Sequence, residues 1–404
     1  MLPVMKILQI NIVCKSGSTG KIVYDMHTWF RDNGCESKIA YGRGSLLDDK
    51  DTYRFSPQYE VYAHAALTRL TGWTGCFSPI ATRNLISFIE SYSPDVVHLH
   101  SVSGYYVNDV KILSYFKKRG IHVVFTLHDE CTYTGKCGYS YECDAWKTEC
   151  GKTRCTELRE YPASLLFDQT KKMYIRKKRI FQNFTNLQIV TPSKWLASRA
   201  RLSFLGDKSI TVVPNGIDTS VFRLRDTSEL IKKYGNAKKV VHVTPNFNDR
   251  RKGGRYVLEL AKRMPDVQFF IVGNREPIKC APSNVYPIGR TENQEQLAQW
   301  YSFADVSVIT SERENFPTVC LESLCCGTPV VGFDVGGTAE TAPNGYGAFV
   351  KFGDMDALET VIHYALDGNL ESKNECAKYG INQYSIERMI SLYMDVYSMA
   401  RGEN

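Results

Sequence analysis

The chain has 404 residues, and at roughly 150 residues per domain that length predicts two domains, each able to bury a core without disulfide or metal staples. Hydrophobic residues make up 43% and charged residues 23%, a balance that excludes wholesale disorder. Fifty lysines and arginines against 43 acidic residues leave a net charge of +7, which suits an anionic ligand or surface and argues against a dedicated nucleic-acid binder.

Met5 to Val13 (MKILQINIV) is apolar but interrupted by Gln9 and Asn11, which predicts a buried first strand rather than a signal peptide. No apolar run reaches the ~18 residues of a membrane span, so a cytoplasmic protein is expected. In SGSTGK, Gly17 and Gly20 predict a glycine-containing turn between the first strand and helix; the pattern is not GxxxxGKS, which excludes a P-loop. Strand-like runs at Lys6–Ile12, Asp95–His100, His122–Leu127, Leu187–Val190 and Ile210–Val213 alternate with helix-like stretches at Pro79–Tyr92, Val107–Lys118, Leu165–Phe184 and Trp195–Leu205. A second strand series follows at Lys239–Thr244, Val267–Val272, Asp305–Ile309, Pro329–Phe333 and Ala348–Val350. Such alternation predicts an α/β protein with two doubly wound parallel sheets. The break is expected at Pro214-Asn215-Gly216, giving domains 1–215 and 216–383, with a helix in 384–404 packing back on the first. Ligands of such sheets bind beyond the carboxyl ends of strands, so the expected site is a cleft between the facing domains.

Three features of the first half carry chemistry. His128 closes a strand, where doubly wound sheets contact ligands, while His98 and His100 share one strand face as cleft or core groups. Five of the 13 cysteines fall between Cys131 and Cys155, in an expected insertion over 129–157. They contain no CxxC pair; the alternatives are a structural zinc on Cys137, Cys143, Cys150 and Cys155, or partly buried thiols. KKMYIRKKRIF places Lys171, Lys172, Arg176, Lys177, Lys178 and Arg179 beside Met173, Tyr174, Ile180 and Phe181. That is either a docking face for an anionic membrane or a solvated helix face.

The second half holds SERENFPTVCLESLCCGTPVVGFDVGGTAE, Ser311 to Glu340, with Glu314 and Glu322 separated by seven residues around a helix start. Carboxylates fixed in this way can accept pairs of sugar hydroxyls, and the bland reading is two solvated charges. NDRRKGGRY, Asn248 to Tyr256, supplies Arg251 and Lys252 before a glycine pair.

The Glu-x7-Glu pair, CGTPVV, the following glycine pair and VVPNGID resemble the retaining GT-B glycosyltransferases of family 4. PDVVHLHSVSGYYVN and TLHDECTYTGKCGYSYECDAW resemble its branch for exopolysaccharide, capsule and O-antigen repeats. The resemblance implies a hexosyl transfer from a UDP- or GDP-sugar to a saccharide or polyprenyl-diphosphate-linked acceptor, with no cofactor or metal needed for catalysis. It implies that Glu322 binds the donor ribose, Glu314 the sugar hydroxyls, and Lys252 the diphosphate. The segment Asn315-Phe316-Pro317-Thr318 would present backbone N–H groups, from its residues other than the proline, to the diphosphate at the helix N-terminus. Gly17 and Gly20 would let the backbone approach donor and acceptor, and His128 would stand near the anomeric centre. Many relatives carry an arginine about six residues before the lysine; Asn246 stands here, and Arg250 or Arg251 is expected to compensate. A location on the inner face of the cell membrane follows from such acceptors. The competing functions are a GT-B nucleotide-sugar epimerase and a metal- or nucleic-acid-binding protein using the Cys-rich segment.

Overall fold

A computed structural model describes residues 5–402. One unit runs to Val213 and takes up the chain again from Ile390; the other is Pro214–Met389. The division falls just before the Pro214 turn, and the return lies inside the last helix, Ile386–Arg401, rather than at residue 384.

The first sheet has seven parallel strands: β1 (Lys6–Asn11), β2 (Glu36–Tyr41), β3 (Thr52–Arg54), β4 (Val96–Leu99), β5 (Val123–Thr126), β6 (Leu187–Thr191) and β7 (Ile210–Val212), in the order β3-β2-β1-β4-β5-β6-β7. The second has six: β8 (Lys239–Val243), β9 (Gln268–Val272), β10 (Val285–Gly289), β11 (Val306–Ile309), β12 (Val330–Asp334) and β13 (Gly347–Lys351), in the order β10-β9-β8-β11-β12-β13. Every pairing is parallel. Both sheets reverse strand order once, at β1/β4 and at β8/β11, and ligands of doubly wound sheets sit at the carboxyl ends of such switch points.

The central strands β4, β5 and β11 are buried at every position, hence their unbroken apolar runs. Strands β2, β3 and β10 escaped the sequence pattern for a reason each. ESKIAY carries an exposed Glu36 and a half-buried Lys38, β3 spans three residues, and β10 holds Pro287, which a sheet edge tolerates.

Between β5 and β6, the Cys-rich insertion contains one short 3-10 turn, Ala145–Lys147, and is held by buried charge. Glu130, 1% exposed, pairs with Arg199 at 2.6 Å and accepts hydrogen bonds from Ser140 N at 2.7 Å and Tyr133 Oη at 2.8 Å. Arg199 in turn lies 4.4 Å from the centre of the buried Trp146 ring. Lys136 Nζ donates to the carbonyls of Glu157, Leu158 and Glu160 at 2.8, 3.0 and 2.9 Å. A buried ammonium with three acceptors has its donors satisfied, which is the condition for burying it.

The helix expected over Leu165–Phe184 spans Thr170–Phe181. Asp168 stops its extension by accepting the Thr170 amide at 2.9 Å with one oxygen and the Cys155 amide at 3.0 Å with the other. Leu165, Leu166 and Phe167 are left exposed in the preceding loop. Among the described residues no helix is long and apolar enough to cross a membrane.

Candidate active site

In the unit Pro214–Met389, the loops after β8 and β11 meet at the switch point. Asp249 caps the turn Arg250–Lys252 by accepting the Arg251 amide at 3.0 Å, and Gly253 follows at φ +68°. A side chain on Gly253 would collide with the Thr310 carbonyl, while Thr310 Oγ1 donates to Gly253 O at 3.0 Å. The β8 loop is thereby pinned to the end of β11. Its Lys252 Nζ donates to Glu314 Oε1 at 2.6 Å, a charge-assisted bond with both side chains partly screened from solvent.

The glycine pair packs against the backbone of the same residue, Glu314. Gly336 has φ +62°, and a β-carbon there would overlap the Glu314 carbonyl, so only glycine lets the backbone pass. Helix Thr318–Cys325 starts after Pro317, its N-cap, with no side-chain cap on the free amides. Asn315 and Phe316 are buried just before it, and the Phe316 carbonyl accepts from Asn215 Nδ2 at 3.2 Å. One turn into the helix, Glu322 Oε2 accepts from the buried Tyr301 hydroxyl at 3.1 Å. A carboxylate pair, an ammonium and a helix start thus converge at one sheet end, which can hold a diphosphate and polyhydroxyl groups.

The arginines of this loop are all paired with acids. Arg251 is turned onto Asp249, with bonds at 3.2 and 2.7 Å, and Arg250 and Arg255 share Glu312. Asn246 serves the turn, accepting the Asn248 amide at 3.1 Å. Lys252 is the cation of this loop that meets Glu314.

In the other unit, Gly17 and Gly20 do not lie together in a turn: the helix Gly17–Asp32 begins at Gly17 and Gly20 lies in its first turn. Gly17 has φ +66° with open space beside it, and Gly20 packs against Val13. Across β1 and the carboxyl ends of β4 and β5, His128 Nε2 lies 3.3 Å from His100 Nδ1, and His100 Nε2 lies 3.2 Å from Gln9 Oε1. The neighbouring His98 bridges Tyr397 Oη at 2.7 Å and Thr126 Oγ1 at 2.8 Å. Burial pushes His128 down to about 4 and the other two well below the usual imidazole range. Beside them is a cavity of about 40 Å³ lined in part by Ser101, Ser103, His128 and Asp129. Asp129 accepts from Cys131 N at 2.9 Å and Ser103 Oγ at 3.2 Å; its burial raises the carboxyl.

Residues 19–221 match the family model Glycosyltransferase Family 4, and residues 226–383 match Glycosyl transferases group 1. The chain belongs to this family. This glycosyltransferase is 25% identical over 344 residues to WcaC of Escherichia coli strain K12, assigned to colanic acid biosynthesis as a glycosyl transferase, covering 81% of this chain and 82% of that one. Its fold is that of sucrose-phosphate synthase from Thermosynechococcus elongatus, with a TM-score of 0.72 at 17% identity over 98% and 99% of the two chains. It is also that of HepE from Anabaena, solved in complex with UDP-glucose, with a TM-score of 0.66 at 14% identity over 98% and 100%. The sheets are accordingly the two Rossmann-like domains of a GT-B glycosyltransferase.

Among the described residues, the cysteines of this glycosyltransferase form no group of three ligand atoms within 4.8 Å of one another. Cys137 and Cys155 share a hydrogen bond that holds the Cys155 thiol below its usual range, and Cys150 feels the charges of both Cys143 and Cys155. Among the described residues, the one group of three metal-type ligands with atoms within 4.8 Å of one another is His27, Asp49 and Asp51. There Arg31 already supplies a cation at 3.8 Å from Asp49 and 3.7 Å from Asp51. Sequence reading missed Gln9 and Tyr301 as partners of site residues. A glutamine inside an apolar strand was the available signal for the first; nothing local marks the second.

Proposed function

We propose that this glycosyltransferase moves a hexosyl group from a UDP- or GDP-sugar onto a saccharide or lipid-diphosphate-linked saccharide in the synthesis of a bacterial surface polysaccharide, with retention of configuration. The observation that carries the donor half is the Lys252–Glu314 pair at 2.6 Å beside an uncapped helix start. A diphosphate entering there replaces Glu314 as the partner of Lys252 and receives backbone amides from Thr318 onward. Glu314 is then released to accept hydrogen bonds from hydroxyls of the sugar, and Glu322, braced by Tyr301, takes the ribose. Charge developing on the leaving diphosphate is met by Lys252 and the helix dipole, with no metal required. The colanic acid assignment of WcaC and the UDP-glucose bound to HepE support the polymer and donor classes.

Support for a membrane-linked acceptor comes from one surface. An open groove of about 790 Å³ is lined by Trp73, Lys117, Lys118, Lys172, Arg176 and Arg179, with no acid among its lining residues. Leu165, Leu166 and Phe167 are exposed in the loop leading into the helix that carries three of those cations. The composition of this face differs from the sequence expectation. Lys177 is buried and donates to Cys131 O and to Thr134 O, the latter at 3.2 Å, and Lys171 pairs with Glu149; Lys117 and Lys118 join from the helix Asp109–Arg119. Cations with adjacent apolar side chains suit an anionic bilayer. The test is nucleoside diphosphate release from a panel of UDP- and GDP-sugars, with and without polyprenyl-diphosphate-linked saccharides. Release that depends on the acceptor supports transfer, and donor consumption without acceptor and with epimerised product would overturn it.

A further inference from the structure

We propose that Gln9 and His100 are positioning residues that hold His128 in the tautomer protonated on Nε2, so that its Nδ1 offers a lone pair to a hydroxyl of the sugar substrate. The role toward substrate rests on the glycosyl-transfer reading above; the tautomer itself does not.

The proton positions follow from one fixed amide. Gln9 is fully buried on β1, and its Nε2 donates to the Val23 carbonyl at 3.1 Å. Turning the amide over would set its oxygen against that carbonyl, so Oε1 is the atom that meets His100 Nε2 at 3.2 Å. A carboxamide oxygen only accepts, so His100 carries its proton on Nε2. Neutral His100 then has a lone pair on Nδ1, and the group 3.3 Å away, His128 Nε2, must donate to it. The His100 and His128 rings are inclined by 13°, which suits an in-plane bond. A second proton on His100 is disfavoured by burial and by the His98 ring, whose centre is 3.9 Å away. With Nε2 committed, Nδ1 of half-buried His128 is the nitrogen left with a free lone pair. His128 thus acts toward substrate as a hydrogen-bond acceptor rather than a donor. Gln9, His100 and His128 lie on β1 and at the ends of β4 and β5, so the relay crosses the switch point of the first sheet.

The test is a long-range ¹H–¹⁵N correlation spectrum of the full chain labelled at histidine nitrogens. The expected result is a pyrrole-type Nε2 and pyridine-type Nδ1 in both His100 and His128 near neutral pH. A protonated Nδ1 on His128, or an even mixture of its tautomers, overturns the proposal whatever the variants do. Gln9→Met should mix the His128 tautomers and lower kcat about tenfold or more while KM for the donor stays within about twofold. His100→Gln, whose side-chain oxygen can accept from His128, should keep the Nε2 proton and more activity than His100→Phe. Unchanged kcat and tautomer in folded Gln9→Met would refute the positioning role. If wild type shows the expected tautomer but transfers no sugar to any acceptor, the transferase reading fails and the relay stands.

Discussion

At the β8/β11 switch point the chemistry-bearing side chains are charged and mutually paired: Lys252 with Glu314, Arg251 with Asp249, and Arg250 and Arg255 with Glu312. At the β1/β4 switch point of the other unit they are neutral imidazoles and an amide linked in series, Gln9 to His100 to His128. The same topology carries two chemistries, charged at one sheet end and neutral at the other, and the proposed function assigns a different kind of ligand to each. A diphosphate needs cations able to exchange their partners, and the ion pairs at the charged end offer such cations. A sugar hydroxyl needs directional partners of known protonation, and burial keeps imidazoles neutral for that purpose.

The comparison can be broken at four levels. The largest effect is expected at the charged end: Lys252→Ala should lower transfer by about 10²–10³-fold, the scale of removing a group that meets developing charge. Initial rates at saturating acceptor measure it, and a loss under threefold would mean that the cation is not used. Next is the insertion beside the neutral site. Glu130→Ala strands Arg199 and should destabilise the first unit by about 3–5 kcal/mol, read from urea unfolding. Equal loss in Arg199→Ala and in the double variant would show that the two act as one pair.

The third concerns pH. His64, His128 and His242 are each pushed down to about 4 by burial from an ordinary value of 6.5. Between those limits the unfolded chain binds protons that the folded chain refuses, so stability is present above pH 6.5 and is lost as pH falls toward 4. Each group contributes at most about 1.4 kcal/mol per pH unit across that window. A urea midpoint unchanged between pH 7 and pH 5 would contradict the neutral assignment. The smallest effect belongs to the basic groove. Changing Lys118, Lys172, Arg176 and Arg179 to glutamine should abolish sedimentation with anionic vesicles, at about 1 kcal/mol per cation, and spare donor affinity. Equal sedimentation of variant and wild type would assign the groove to solvent.

Much of this was legible in sequence where one physical demand dominates. Buried parallel strands must be apolar on both faces, so β4, β5 and β11 could be read directly. The Glu314 and Glu322 loop was legible because a helix start, its proline and its glycine pair all act within a short segment. What escaped depends on partners distant in the chain. Lys177 reads as one of six surface cations, yet Cys131 O and Thr134 O draw it inside. Arg251 reads as a substitute phosphate ligand, and the sequence does not show the ion pair that it makes with Asp249. Gln9 is marked locally only as a polar residue inside an apolar strand, and Tyr301 is not marked at all, because their importance comes from what another strand or helix sets beside them.

The claim on which the rest depends is that the unit Pro214–Met389 holds a nucleotide-sugar through Lys252 and Glu322. Calorimetric titration of UDP and GDP into wild type, Lys252→Ala and Glu322→Ala tests it directly. The account predicts saturable one-to-one binding of at least one nucleotide to wild type, with affinity reduced about tenfold or more in each variant. Undiminished affinity in both folded variants would contradict it.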